Sequence, residues 1–188
     1  MLPLFPFTLS SLYLQVLAVS FVFPQRVAEW LAGPVPVAAP PLAAAIIRTL
    51  SIAVIGPIAE EVVFRGVLLP LWTRRWGFRA GILGTSALFG VLHANVVGSL
   101  VFGIVMAVLY LRTGSLLVPV AVHMLFNAPP ALARWADTDP TTYTLAELRA
   151  EWMWPAAAIA VTLPGLIAFL RLVVRGGHPR GPAFSGGG

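Results

Sequence analysis

Cysteine is absent from the 188 residues, which removes disulfides, thiolate nucleophiles and cysteine-ligated metals together. Lysine is absent as well, so all twelve basic residues are arginine. Charge of either sign is scarce: 10% of residues are charged against 59% hydrophobic, with a mean hydropathy of +0.89. A water-soluble globule could not cover its surface with so little polar material. The composition therefore indicates an integral membrane protein with several spans. The net charge of +5 does not indicate nucleic acid, because the arginines are scattered at the ends of apolar runs and not gathered on one face. That distribution fits lipid headgroups and membrane topology.

Further absences narrow the chemistry. The only aspartates, Asp137 and Asp139, fall in what reads as an exposed loop, so no intramembrane aspartyl dyad can form. No HExxH occurs, which removes the helical zinc-protease pattern. Ser86, in Gly84-Thr85-Ser86-Ala87, lies two helical turns from His93 and is a poor candidate for an activated serine. Residues 1 to 23 lack a basic n-region and a small-residue cleavage site, so the first apolar run is expected to remain as a span.

The expected fold is all-α, a polytopic transmembrane helix bundle of about six spans, with five to seven as the range. The helices are placed near 7 to 23, 41 to 72, 80 to 95, 97 to 111, 116 to 134 and 153 to 174. Pro34, Pro36, Pro40 and Pro41 mark a non-helical lead-in, with Pro41 suited to a helix start. Gly56-Pro57 should kink or break the second helix. Residues 1–175 read as one transmembrane domain, and residues 176–188, which include His178, as a flexible tail. Arg74, Arg75, Arg79, Arg112, Arg171, Arg175 and Arg180 fall in alternate connections or the tail, without acidic neighbours. By the positive-inside rule this places them, and both termini, in the cytoplasm, and the span count even.

Against this apolar background stands Glu60-Glu61-Val62-Val63-Phe64-Arg65. Three charges at membrane depth are costly enough that they rarely persist without a task or partner. Glu61 and Arg65, spaced i, i+4, can pair on one helix face, whereas Glu60 points about 100° away and needs another partner. His93 stands in a later span, and His123 with Asn127, again i, i+4, in another. Counted from the cytoplasmic arginines at 1.5 Å per residue, Glu60, His93, His123 and Asn127 lie about 17 to 22 Å deep, in one layer.

Glu, two His and Asn in a water-accessible cavity suit hydrolysis. A shielded carboxylate can take a proton from water, a histidine can orient that water and protonate the leaving amine, and two donors on one face can hold an oxyanion. Glu60, His93 and His123 also resemble a two-His, one-Glu zinc site, and spacing alone does not separate the two mechanisms. A proton- or ion-coupled transport component could use the same buried groups, although the chain is small and shows no repeat symmetry.

In this order and in separate apolar helices, Glu60-Glu61-x-x-x-Arg65, Phe89-x-x-x-His93 and His123-x-x-x-Asn127 resemble the three motifs of the CPBP intramembrane proteases. That family includes type II CAAX prenyl endopeptidases and Abi-type bacteriocin-processing relatives. The resemblance covers about residues 40 to 130. It implies that Glu60 activates water with His93, that His123 and Asn127 form the oxyanion site, and that Glu61 and Arg65 hold the first motif in shape. It implies a bacterial inner-membrane endopeptidase acting on a peptide or protein with a membrane-associated segment: lipidated, bearing a C-terminal sorting signal, or small. Members have been described both with zinc and without metal. The metal-free version is favoured here, because Asn127 serves an oxyanion better than it serves zinc.

Overall fold

The structure is a computed structural model, and it describes residues 3–32, 41–136 and 144–175. Pro34, Pro36, Pro40, the two loop aspartates and the tail with His178 and Arg180 lie outside the described residues. The described residues form helices joined by short links, with no strand among them. These are α1 (Leu4–Val22), α2 (Pro24–Leu31), α3 (Leu42–Trp76), α4 (Phe78–Val91), α5 (Val96–Thr113), α6 (Leu117–Ala136), α7 (Leu145–Ala150) and α8 (Met153–Arg175). α1, α3, α5 and α8 are long and apolar enough to cross a bilayer, and α4 and α6 are shorter apolar helices. The fold is the expected polytopic helical bundle, a multi-pass membrane protein whose six apolar helices lie close to the anticipated positions. The short helices α2 and α7 come from segments with too little apolar length to be expected as spans.

α3 corrects one expectation. The 35-residue helix runs through Gly56-Pro57 without a break. Instead it widens into a π-helical segment, Ser51–Ile55, one residue before Gly56, and into a second, Val62–Leu68, after Glu61. In the first, the Gly56 N–H reaches back to Ser51 O, an i to i−5 bond. A wider turn relieves the clash of the proline ring with the preceding turn, which a regular α-helix could not avoid. Close approach requires glycine at Gly56, where an added Cβ would stand 3.0 Å from Ser51 O.

The other correction concerns α4. The helix ends at Val91, and His93 lies in the link 92–95 that joins it to α5. Asn95 explains the stop. Its side-chain oxygen accepts from Gly98 N at 3.0 Å and caps α5, so the chain must leave α4 before it. Gly77, at φ +84°, makes the turn between α3 and α4 that a side chain would strain.

α5 is the spine of the bundle. It packs against α4, α1, α6 and α8, and carries Phe102, Val105 and Met106 into a core completed by Leu4, Phe7, Phe64, Phe89 and Leu166. Lipid tails give apolar helices no reason to leave them, so close backbone approach has to supply the association. At the α4–α5 crossing Gly103 meets Ser86, and a Cβ at Gly103 would lie 3.0 Å from Ser86 Cβ and 3.1 Å from its Cα. Gly103→Leu should therefore push the two helices apart and destabilise the protein by about 1–3 kcal/mol. Thermal unfolding in detergent measures this, and an unchanged midpoint would contradict the packing.

α7 begins with a capping box: Thr144 Oγ1 accepts from Glu147 N, while Glu147 Oε2 accepts from Thr144 N at 2.8 Å. Hydrogen bonds from the Thr144 backbone and hydroxyl hold the Glu147 carboxyl below its ordinary value. A depressed carboxylate contributes stability above its unfolded pKa, and that contribution is lost as pH falls through the folded one. The protection factors of residues 145–150, corrected for the intrinsic exchange rate, are expected to fall selectively under acid conditions, and Glu147→Gln should remove that fall.

Candidate active site

Glu60 and Glu61 come from the short α-helical stretch between the two wide turns of α3. Glu61 is fully buried, and its Oε1 takes two bonds of 2.8 Å, one from Arg65 Nη1 four residues on and one from His123 Nδ1 of α6. Arg65 is itself tied across the bundle, donating from Nη2 to Gly103 O of α5 at 3.1 Å. Its guanidinium lies 5.0 Å from the centre of the Phe89 ring. An ion pair removed from water gains from further hydrogen bonds to both ions, and His123, Gly103 and the ring contribute here, while Glu61 Oε2 is buried without a hydrogen-bond partner among the described residues.

Glu60 points the other way, toward His93 and His123, with 36% of its side chain exposed. Its Oε2 is buried, lies 3.8 Å from His93 Nε2 and 3.7 Å from His123 Nε2, and has no hydrogen-bond partner among the described residues. Both separations are longer than a hydrogen bond. The opposite ring nitrogens are already committed. His93 Nδ1 lies 2.7 Å from Phe89 O and His123 Nδ1 2.8 Å from Glu61 Oε1. A ring nitrogen facing a carbonyl or carboxylate oxygen must carry the hydrogen, so in each neutral ring Nε2 presents its lone pair toward Glu60. Glu60 Oε2 and the two Nε2 atoms thus face one another.

The aromatic shell fixes these directions. His93 stacks on Phe89 at 4.3 Å, and His123 meets Phe102 edge to face at 4.7 Å. Asn127, one turn beyond His123 on α6, gives one amide hydrogen to Ile52 O at 3.2 Å. His93, His123 and Asn127 line a cavity of about 260 Å³ whose other walls include Thr8 and Leu12 of α1 and Asn95. The structure therefore brings His93, His123 and Asn127 together around one space, with Glu60 Oε2 3.8 and 3.7 Å from the two Nε2 atoms and with Glu61 and Arg65 behind them. Ser86 does not line that cavity; it is buried against Gly103.

A zinc ion would draw on Glu60, His93 and His123. The donor types suit it, but the spacing does not. Tetrahedral bonds of about 2.0–2.1 Å set ligand atoms about 3.3 Å apart, and both edges to Glu60 are wider. Among the described residues no group of three or more His, Asp or Glu side chains is assembled closely enough to hold a metal.

Sequence reasoning did not single out Phe89 as the hub under His93 and Arg65, nor α1 as a cavity wall. Asn95 was also missed, although an Asn directly before an apolar run is a readable helix start.

Residues 42–129 match the family described as Rce1-like, type II CAAX prenyl endopeptidase Rce1-like. This stretch runs from the start of α3 past Asn127 and contains Glu60, Glu61, Arg65, His93, His123 and Asn127. A protein of Bacillus subtilis (strain 168) named "Putative membrane peptidase YdiL" is 35% identical over 78 residues, 39% of this chain and 32% of that protein. An Escherichia coli protein named "Uncharacterized 24.3 kDa protein" is 34% identical over 87 residues, 42% of this chain and 40% of that one. The matched stretch thus spans about a third to two fifths of these relatives. No solved structure matches. The three motifs meet in one part of the bundle, and over residues 42–129 the chain is similar to the type II CAAX prenyl endopeptidase Rce1-like family.

Proposed function

We propose that this protein is an intramembrane endopeptidase that hydrolyses a peptide bond at membrane depth with Glu60 as general base. The observation that carries the reading is the position of Glu60 Oε2, opposite both Nε2 atoms and without a donor of its own among the described residues. A water between them gives a hydrogen to Glu60 and is oriented by His93. As its oxygen attacks the scissile carbonyl, the proton passes to Glu60 and the carbonyl oxygen becomes an oxyanion. His123 and Asn127 form the oxyanion site, with His123 held in place by the bond from Nδ1 to Glu61. Asn127 donates the amide hydrogen that Ile52 leaves free. Glu60 then passes that proton to His93 Nε2, and His93 delivers it to the nitrogen of the departing amine as the C–N bond breaks, which returns both groups to their starting state. The residues act from α3, from the link after α4 and from α6, so the chemistry depends on the bundle being assembled.

The substrate class is a peptide or protein with a membrane-associated segment: lipidated, bearing a C-terminal sorting signal, or small. The arginine distribution supports an orientation with both termini on the cytoplasmic side of a bacterial inner membrane. Arg48, near the start of α3, lies on the far side with Arg26, Glu29, Arg149 and Glu151, where the charges are mixed.

Purified protein should cleave a lipidated fluorogenic peptide, and Glu60→Gln should abolish cleavage while leaving thermal unfolding unchanged. Normal turnover in that variant would sink the assignment. Asn127→Ala, which removes one oxyanion donor, should lower kcat by about 10²–10³-fold.

The reaction is proposed to run without a metal. Dialysis against a strong chelator should leave the rate of the wild-type enzyme unchanged. Loss of activity restored by stoichiometric zinc would reverse that part of the proposal and assign Glu60, His93 and His123 as ligands.

A further inference from the structure

α1 lies outside the segment that matches the family, yet it forms one wall of the cavity through Phe5, Thr8, Leu9 and Leu12. Its sequence is apolar except for a few hydroxyls and one amide. Thr8, Ser11 and Gln15, at i, i+3 and i+7, fall on one face. A polar stripe on a membrane helix is costly unless it is matched, and here the match is the link that carries His93.

The matching is complete at the level of individual atoms. Gln15 uses both ends of its amide, donating from Nε2 to Ala94 O at 3.1 Å and accepting from Val97 N on Oε1 at 2.9 Å. Asn95 donates from Nδ2 to Thr8 O at 2.6 Å, and its Oδ1 accepts from Ser11 Oγ and from Gly98 N, both at 3.0 Å. Gly98 must be glycine for this to fit, since a Cβ there would lie 2.6 Å from Ser11 Oγ. Residues 94 to 98 are thus bonded to α1 from both sides of Asn95, starting one residue after His93. On its own side His93 is held by its Nδ1 bond to Phe89 O, by its backbone N–H to Gly90 O at 3.0 Å and by the Phe89 ring.

We propose that Gln15 and Asn95 are positioning residues for His93, and that α1 acts as a splint for the non-helical link. The link ends α4 early and would otherwise leave His93 on four residues without regular structure. Holding Ala94, Asn95 and Val97 fixes where the chain leaves α4, and so keeps His93 Nδ1 on Phe89 O and Nε2 toward Glu60. The inference rests on the assignment of His93 to water activation, but its structural half can be read without any activity.

The test uses full-length protein in detergent, with Gln15→Met and Asn95→Asp. Gln15→Met keeps side-chain length and removes both bonds of an exposed amide, so the fold should survive. Asn95→Asp keeps the helix cap and the acceptor for Ser11, and loses only the donor to Thr8 O. Two readouts are compared. One is amide exchange over residues 93–98 together with the ¹⁵N tautomer signature of His93, one of three histidines in the chain. The other is cleavage of the lipidated peptide. Gln15→Met should speed exchange at 96–98, mix the His93 tautomers and lower kcat about tenfold or more, with KM within about twofold. Asn95→Asp should fall between Gln15→Met and wild type. A wild-type His93 signature in Gln15→Met would overturn the proposal, as would a loosened link with unchanged kcat. If the wild-type protein cleaves nothing, the endopeptidase reading fails, while the His93 signature still decides whether α1 positions the link.

Discussion

One carboxylate oxygen carries much of this structure. Glu61 Oε1 receives Arg65 from its own helix and His123 from α6, and Arg65 passes the connection to the α5 backbone. A charge withdrawn from water is tolerable only when it is neutralised and its hydrogen-bonding capacity is used. Meeting that demand with groups from three helices forces α3, α5 and α6 into one relative arrangement. Apolar packing within a bilayer cannot impose this, since lipid competes for the same surfaces. The same bonds fix the tautomer of His123, so the interaction that orders the bundle also aims one of its histidines. Glu60, one residue away, is left free of that network.

Most of the fold was legible because hydropathy reports length directly, and apolar helices lie near the six expected positions. The i, i+4 spacing of Glu61 and Arg65 led to a bond that the structure contains. Two features were hidden for physical reasons. A proline in a helix signals a missing hydrogen bond, but not whether the chain breaks or widens around it, and in α3 a π-turn takes up the strain. The end of α4 depended on Asn95, whose cap competes with two further residues of apolar continuation. The convergence of Glu60, His93, His123 and Asn127 could be argued from shared depth. Their directions could not, because these depend on Phe89, Phe102 and Glu61, whose contacts are long-range.

The cavity divides between parts of the chain with different matches. α3 to α6 supply the groups that would meet a scissile bond, and they coincide with the family match, while α1 supplies a wall and the clamp on the His93 link. Reactive groups are constrained by the reaction and walls by the substrate. Thr8 belongs to both sets: it lines the cavity beside Leu9 and Leu12, and its carbonyl accepts from Asn95, so on α1 the wall and the clamp adjoin.

The wide turn before Gly56 also affects the angular register along α3. In a regular helix, nine residues advance about 900°, so Ile52 and Glu61 would stand half a turn apart and face opposite directions. Both nevertheless meet α6, Ile52 O at Asn127 and Glu61 at His123. A π-turn absorbs up to one residue without rotating the rest of the helix, which removes as much as about 100° of that offset. Distance along the helix and direction around it are thereby set independently. The chain gains a phase adjustment that lets one continuous run of backbone touch the same neighbour at two depths.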